Sequence, residues 1–246
     1  MRVPRIHLPD AEAPGQRLAL PESAFGHLVR VLRLGEGAPI EAFNGRGKRF
    51  VAVLADVGKR RADIQLTEAL PTLSESPLHT HLGLVMSKGD RMDYALQKAT
   101  ELGVSRITPL TSERCDLRLK AERQAKKLQH WQGVLASACE QCGRDTVPVL
   151  DEVTGLSQWL DAQESQLRLV LHTAAQTPEF PVEAPSSVSF LVGPEGGLTD
   201  GEVEQAVRNG FQAWQLGSRI LRTETAPVAM LAILQHRWGD LGVGES

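Results

Sequence analysis

An α/β fold with a mostly parallel sheet, preceded by a smaller β-rich unit, is what the 246-residue sequence predicts. Three observations carry that reading. From residue 81 onward, short apolar runs suited to buried strands alternate with helix-period segments, the pattern of a layered α/β domain. From 25 to about 70, apolar runs of strand length are separated by turn formers, the pattern of a small barrel or sandwich. Between the two, Pro71, Ser74, Ser76 and Pro77 form a polar stretch at which the character of the chain changes. The expected domains are therefore 1–73 and 74–246.

In the first part the runs are HLVRVLRL, APIEAF, RFVAVLADV and RADIQLTEA, with GEG, NGRGK and GKR between them. Asn44-Gly45 between two alternating runs is a strong hairpin signal. In the second part HLGLVM (81–86) reads as a strand. A helix follows with Met92, Leu96, Ala99 and Leu102 on one face and Gly103 as its stop. SRITPL is the next strand. Residues 120–142 form a long amphipathic helix, its stripe running through Leu128, Trp131, Leu135, Ala138 and Cys142. RLVLHT (168–173), SVSFLVG (187–193) and QAWQLG (212–217) suit buried parallel strands. Thr199 with Glu202 has the form of a capping box opening a helix to about Arg208. The last helix, from about Ala226 to Trp238, is apolar on nearly every side and is expected to be buried all round, in a core or against another chain.

Composition removes several classes. At 41% hydrophobic and 23% charged residues, the chain is globular rather than disordered. Three cysteines are too few and odd in number for a disulfide framework, so a reducing cytoplasm is expected. No run of apolar residues is long enough to span a bilayer, and MRVPRIHLPD lacks the apolar core of a signal peptide. The net charge of −3 conceals an asymmetry: residues 1–150 carry 22 Lys and Arg against 17 Asp and Glu, whereas 151–246 carry 5 against 13. An anionic partner is implied for the first part.

In open parallel sheets, ligands bind beyond the carboxyl ends of the strands. Two such ends carry unusual chemistry. In LVGPEGGLTDGE (191–202), Gly193, Gly196 and Gly197 let backbone approach a ligand closely, although a tight strand-to-helix turn alone would also use them. The segment is neither a Walker A loop nor a dinucleotide fingerprint. In LGSRILRTETAP (216–227), two arginines, two threonines and a glutamate lie between an apolar strand and an apolar helix, and such groups are paired or face a cleft. Thr223 or Thr225 capping the last helix, with Glu224 favourable to its dipole, is the simpler alternative.

These two segments, with SKGDRMDYALQKATELGVSRITPLTSERC, ACEQCGR, MRVPRIHLP and HLVRVLRLGEG, closely resemble the ribosomal RNA small subunit methyltransferase E family, within the SPOUT superfamily. The resemblance implies an N-terminal barrel similar to the PUA RNA-binding domain, a C-terminal α/β domain tied in a trefoil knot, a homodimer, and S-adenosyl-methionine as methyl donor without a metal. The implied product is N3-methyluridine in 16S ribosomal RNA at the decoding region. Carried onto this sequence, cofactor contacts fall on Leu171 and His172, on Leu191, Gly193, Glu195, Gly196 and Gly197, and on Leu216, Gly217, Ile220, Leu221 and Thr223. Ser218 stands where the family usually has proline, which loosens that turn. Arg222 is expected to stabilise the uridinate anion, and Glu224 to accept its proton or orient Arg222.

RNA contacts are expected at Arg30, Arg33 and Arg49 of the barrel and at Lys88, Arg114 and Arg144, within a wider basic set that includes Arg46, Lys48, Lys59, Arg60, Arg61, Arg118, Lys120, Arg123, Lys126 and Lys127. For the helix residues a solvated face is an equal alternative. Cys139-x-x-Cys142 is read as small buried residues rather than a metal or redox site, and His79 and His81 as structural. A SPOUT ribose 2′-O-methyltransferase and a non-enzymatic RNA-binding assembly factor are the alternative functions.

Overall fold

The computed structural model describes residues 3–73, 75–115, 121–174 and 179–242. They form two compact units, one of residues 1–74 with 136–147, the other of 75–135 with 148–246.

The first unit is a five-stranded sheet. Its strands are β1 (Arg5–His7), β2 (Arg17–Ala19), β3 (Pro39–Phe43), β4 (Arg49–Ala55) and β5 (Asp63–Leu70), in the order β1-β3-β4-β5-β2. Only β1 and β3 pair in parallel; the rest of the ladder is antiparallel. Alternation decides which face is buried: Phe50, Ala52 and Leu54 of β4 point inward with Ile40, Ile64 and Leu66. The Asn44-Gly45 hairpin forms, through a five-residue loop in which Asn44 Oδ1 accepts from the amides of Arg46 and Lys48. One expectation needs correcting. HLVRVLRL is not a strand; α1 (Glu22–Phe25) runs into a π-helical turn at Gly26–Val31, because Phe25 and Leu28, three apart, bury one helical face on the sheet while Val31 stays exposed.

Residues 136–147 are joined to this sheet by charge. Arg5 donates to Asp145 at 2.6 Å and to Glu41 at 2.8 Å, and stacks over Phe43; Asp145 also accepts from the Leu73 amide. The side chains of Arg5 and Asp145 are almost fully buried.

The second unit holds β6 (His79–Val85), α2 (Asp90–Glu101), β7 (Arg106–Thr111), β8 (Val149–Leu150), β9 (Thr154–Gly155), α4 (Leu156–Asp161), β10 (Leu167–Leu171), β11 (Ser187–Val192), α5 (Asp200–Arg208), β12 (Gln212–Trp214) and α6 (Thr225–Trp238). Helix α3 (Ala121–Cys142) contributes its first part to this unit and its last turns to the other. The sheet order is β12-β10-β11-β6-β7-β8, with β9 also on β7, and every pairing is parallel. The strands predicted in this part of the sequence all form. Elements β8, β9 and α4 escape sequence reading because two-residue strands and a six-residue helix carry no period.

Thr199 and Glu202 make the expected capping box on α5, each side chain meeting the other's amide. In helix α6 Met230, Leu231 and Leu234 are buried but Ile233 is exposed, so the single chain covers all but one apolar side. Among the described residues, no helix is long and apolar enough to cross a membrane.

Candidate active site

At the carboxyl ends of β10, β11 and β12 the second unit encloses a cavity of about 600 Å³, within the range of small-molecule sites. Its walls are three chain segments: Leu171–Thr173 after β10, Val192–Leu198 after β11, and Trp214–Leu216 with Arg219–Glu224 after β12. The amide of His172 donates to the carbonyl of Trp214 at 3.0 Å, tying the first wall to the third.

Local chemistry explains each wall. The middle one turns on a Gly197 amide bonded to the Pro194 carbonyl, with Gly197 at φ +71°, where a side chain is strained. Gly193 is required by packing instead: a Cβ there would lie 2.9 Å from Leu198 Cγ. Between the two stretches of the third wall the chain turns at Gly217, φ +72°, set back from the cavity, and the wall ends where the Arg222 carbonyl accepts from the amides of Thr225 and Ala226, the first turn of α6. The capping alternative for this segment does not hold: the N-cap position is Glu224, and no side chain caps the helix.

Of the residues singled out for the cofactor, Leu171, His172, Gly193, Glu195, Gly196, Gly197, Leu216, Ile220, Leu221 and Thr223 line this one cavity, together with Arg222 and Glu224. Leu191 does not; it is fully buried in β11, and strand alternation gives the lining position to Val192. Gly217 is not on the wall either. Arg219, the other arginine of 216–227 expected to be paired or face a cleft, lines the cavity, as do Trp214, Leu198, Asp200 and Arg91, which the sequence does not mark. Trp214 was legible as part of a strand, but nothing in the sequence singled out its role. Ile220 is 84% exposed at the mouth and Arg222 is exposed beside it, whereas Thr223 is buried.

The basic residues divide into held and open ones. Arg49 donates to the Pro71 carbonyl and lies 3.6 Å from both Glu41 and Asp145; Arg46 and Lys48 share Glu12. Arg30, over the Phe25 ring, and Arg33, at φ +54°, are exposed, as are Lys59, Arg60 and Arg61. Arg144 is half-buried, and Lys88 is exposed between β6 and α2. Arg114 donates to the Gly196 carbonyl at 3.1 Å. Arg118 and Lys120 lie outside the described residues. Cys139 is buried, Cys142 is half-buried, and neither is in a disulfide. No group of three or more metal-ligating side chains occurs among the described residues.

The opposite, amino-terminal end of the same sheet is also polar. The Thr108 hydroxyl donates to Asp151 at 2.5 Å and accepts from His81 Nε2 at 2.7 Å, and the Trp159 ring packs edge-on against the imidazole. Arg106 grips Asp151 with two nitrogens. Burial, with the nearby Arg106 charge, pushes the His81 pKa down to about 4. Burial alone would raise the Asp151 carboxyl, but hydrogen bonds from Arg106 and Thr108 outweigh it and hold it below its usual value.

Comparison with known proteins narrows the chemistry of the cavity. The RNA methyltransferase domain family matches residues 74–235, and the RNA methyltransferase PUA domain family matches 20–67. A ribosomal RNA small subunit methyltransferase E of Buchnera aphidicola from Schizaphis graminum is 35% identical over 243 residues, covering 98% of each chain. Another of that name, from Bacillus subtilis, is 29% identical over 86% of each. The crystal structure of such a methyltransferase from Neisseria gonorrhoeae, bound to S-adenosyl methionine, superposes with a TM-score of 0.89 at 42% identity, over 98% of this chain and 100% of that one.

Proposed function

Because the chain belongs to the ribosomal RNA small subunit methyltransferase E family, we propose that it methylates N3 of one uridine in 16S ribosomal RNA, using S-adenosyl-methionine, as a cytoplasmic homodimer. The observation that carries this reading is the cavity itself, into which three separate strand ends bring the residues the family resemblance marks for the cofactor.

The residues present fit that donor. Leu171, Val192, Leu198 and Leu216 offer apolar surface to a purine, while Asp200 and Glu224 place carboxylates beside a ligand whose sulfonium is cationic. Gly193 and Gly197 keep backbone rather than side chain at the wall. When bound, the donor supplies an electrophilic methyl group that needs no metal. The protein must then supply an acceptor without its proton. Uridine N3 is protonated at neutral pH and hidden when paired, so the base has to be unpaired or extruded. In this reading Arg222, exposed and lining the cavity, stabilises the negative charge left on the uracil ring, and Glu224, which lines the same cavity, receives the proton or orients the guanidinium. The open arginines Arg30 and Arg33 suit phosphate contacts that fix register without reading bases. The uncovered Ile233 side of α6 supports pairing with a second copy. The order β12-β10-β11, with the last strand beside β10, supports the trefoil path.

The test is incubation with labelled donor and small subunits that lack the modification, followed by reverse transcription. A label with a stop at one uridine is expected. A label without a stop would assign ribose methylation instead, and no label would leave a binding factor.

A further inference from the structure

Loop 193–197 is the wall least able to hold its own shape. Three of its five residues are glycines, and its internal support is the bond from the Gly197 amide to the Pro194 carbonyl. Two arginines grip it from the adjoining strand ends. Arg91, in the first turn of α2 beyond β6, meets Glu195 Oε1 at 2.7 Å. Arg114, beyond β7, donates to the Gly196 carbonyl at 3.1 Å. The fit at Gly196 is close: a Cβ there would rest 3.7 Å from the Arg114 stem. Consecutive loop residues are thus held by side chains that arrive from two strands on the same side of β11.

We propose that Arg91 and Arg114 are positioning residues, a clamp that keeps residues 193–197 in the shape that receives the methyl donor, and that Glu195 serves this clamp rather than the ligand. The Glu195 carboxylate, engaged with a guanidinium, is the anchor of the loop. Both side chains of the ion pair keep solvent contact, 46% and 37% exposed. The clamp is therefore of moderate strength and weakens with salt. Donor binding rather than the chemical step is what it governs, because neither arginine touches the mouth residues Arg222 and Glu224 through any contact found among the described residues.

The inference rests on the assigned donor, so the experiment has one arm that does not need it. In the cofactor-free full-length protein, amide exchange at Glu195, Gly196 and Gly197 is expected to quicken in Glu195→Gln and Arg91→Ala, with unchanged exchange in α5 and unchanged thermal midpoints. In the second arm, S-adenosyl-methionine titrated calorimetrically without RNA is expected to bind each variant about three- to fivefold more weakly. KM for the donor rises correspondingly and kcat holds. The exchanged pair Arg91→Glu with Glu195→Arg is expected to restore both readouts. Arg114→Ala should quicken exchange at the same amides. Variants that bind the donor as the wild type does, with unaltered loop exchange, would overturn the clamp, as would a rise confined to the KM for RNA, which marks Arg91 as a phosphate ligand only. If the wild type itself fails to bind the donor, the functional reading fails, while the exchange arm still decides whether the clamp exists.

Discussion

Both ends of the parallel sheet carry polar side chains and use them in opposite ways. At the amino-terminal end His81, Thr108, Asp151, Arg106 and Trp159 are engaged mainly with one another, a network closed on itself although it lines a second hollow of about 680 Å³, around a histidine kept neutral by burial. At the carboxyl end Arg219, Arg222 and Glu224 line an open cavity between glycine turns. Polar groups whose bonds are spent on each other specify a structure. Polar groups aimed into an accessible cavity are available to a ligand. The contrast predicts that substitutions at the first end cost stability, and that substitutions at the second cost activity.

The largest expected effect tests the closed end. Trp159, 3% exposed, packs edge-on to His81 and so tightly over Gly83 that a Cβ there would lie 2.6 Å from its ring. Trp159→Ala should lower unfolding free energy by about 3–5 kcal/mol in a denaturant titration, with the remaining folded enzyme turning over normally. At the open end, Arg222→Ala should lower kcat by about 10²–10³-fold, with stability changed by no more than about 0.5 kcal/mol. Full turnover in Arg222→Lys, with donor affinity unchanged, would remove the anion-stabilising role. A large stability loss in Arg222→Ala would show instead that the open end is structural too, and the contrast would fail.

Acid titration is next in size. In the unfolded chain a histidine takes up its proton near pH 6.5, whereas His81 in the fold resists until about 4. Its lowered pKa means that the stability contribution is present above 6.5 and is lost as pH falls from there toward 4, a total of about 3 kcal/mol. Asp151, also lowered, begins to lose its contribution as pH falls through the ordinary carboxylate value, so it touches only the acid edge of this window. Urea midpoints of the wild type and His81→Gln measured from pH 7 to 4 should converge as the wild type falls. Parallel curves would mean that His81 titrates normally and that the network is open to water.

The sequence made the open end easier to read than the closed one. Gly193, Gly196 and Gly197 announce a tight turn by composition, and Thr199 with Glu202 announces the helix that follows, because turns and caps are local chemistry. Leu191 was one residue out of phase: a run as uniformly apolar as SVSFLV shows that a strand is buried but not which face meets the ligand. Arg91 was unreadable as a partner of Glu195, since 104 residues separate them. His81 was visible only as one of two alternating histidines, because Trp159, which fixes its role, is 78 positions away. HLVRVLRL misled for another reason: its strand-like length and β-branched residues were overridden by the three-residue spacing of Phe25 and Leu28 against the sheet core.

The smallest effect is the sharpest on where the boundary between the two kinds of chemistry falls. Thr199 Oγ1 accepts from the Glu202 amide at 3.3 Å, and Glu202 returns a bond to the Thr199 amide at 2.8 Å while its other oxygen accepts from the Glu113 amide at 2.8 Å. This box closes the start of α5 immediately beyond Leu198, whose side chain packs where Gly193 leaves room. Thr199→Ala should cost about 1 kcal/mol of global stability. Its effect on amide exchange should be concentrated in the first turn of α5 and in residues 193–198, not in β6 or β7. The box is then the point at which the rigid frame ends and the ligand loop begins. Were exchange to rise equally at His81 and Thr108, the two ends would unfold as one unit, and the loop would owe its openness to sequence alone rather than to its place in the sheet.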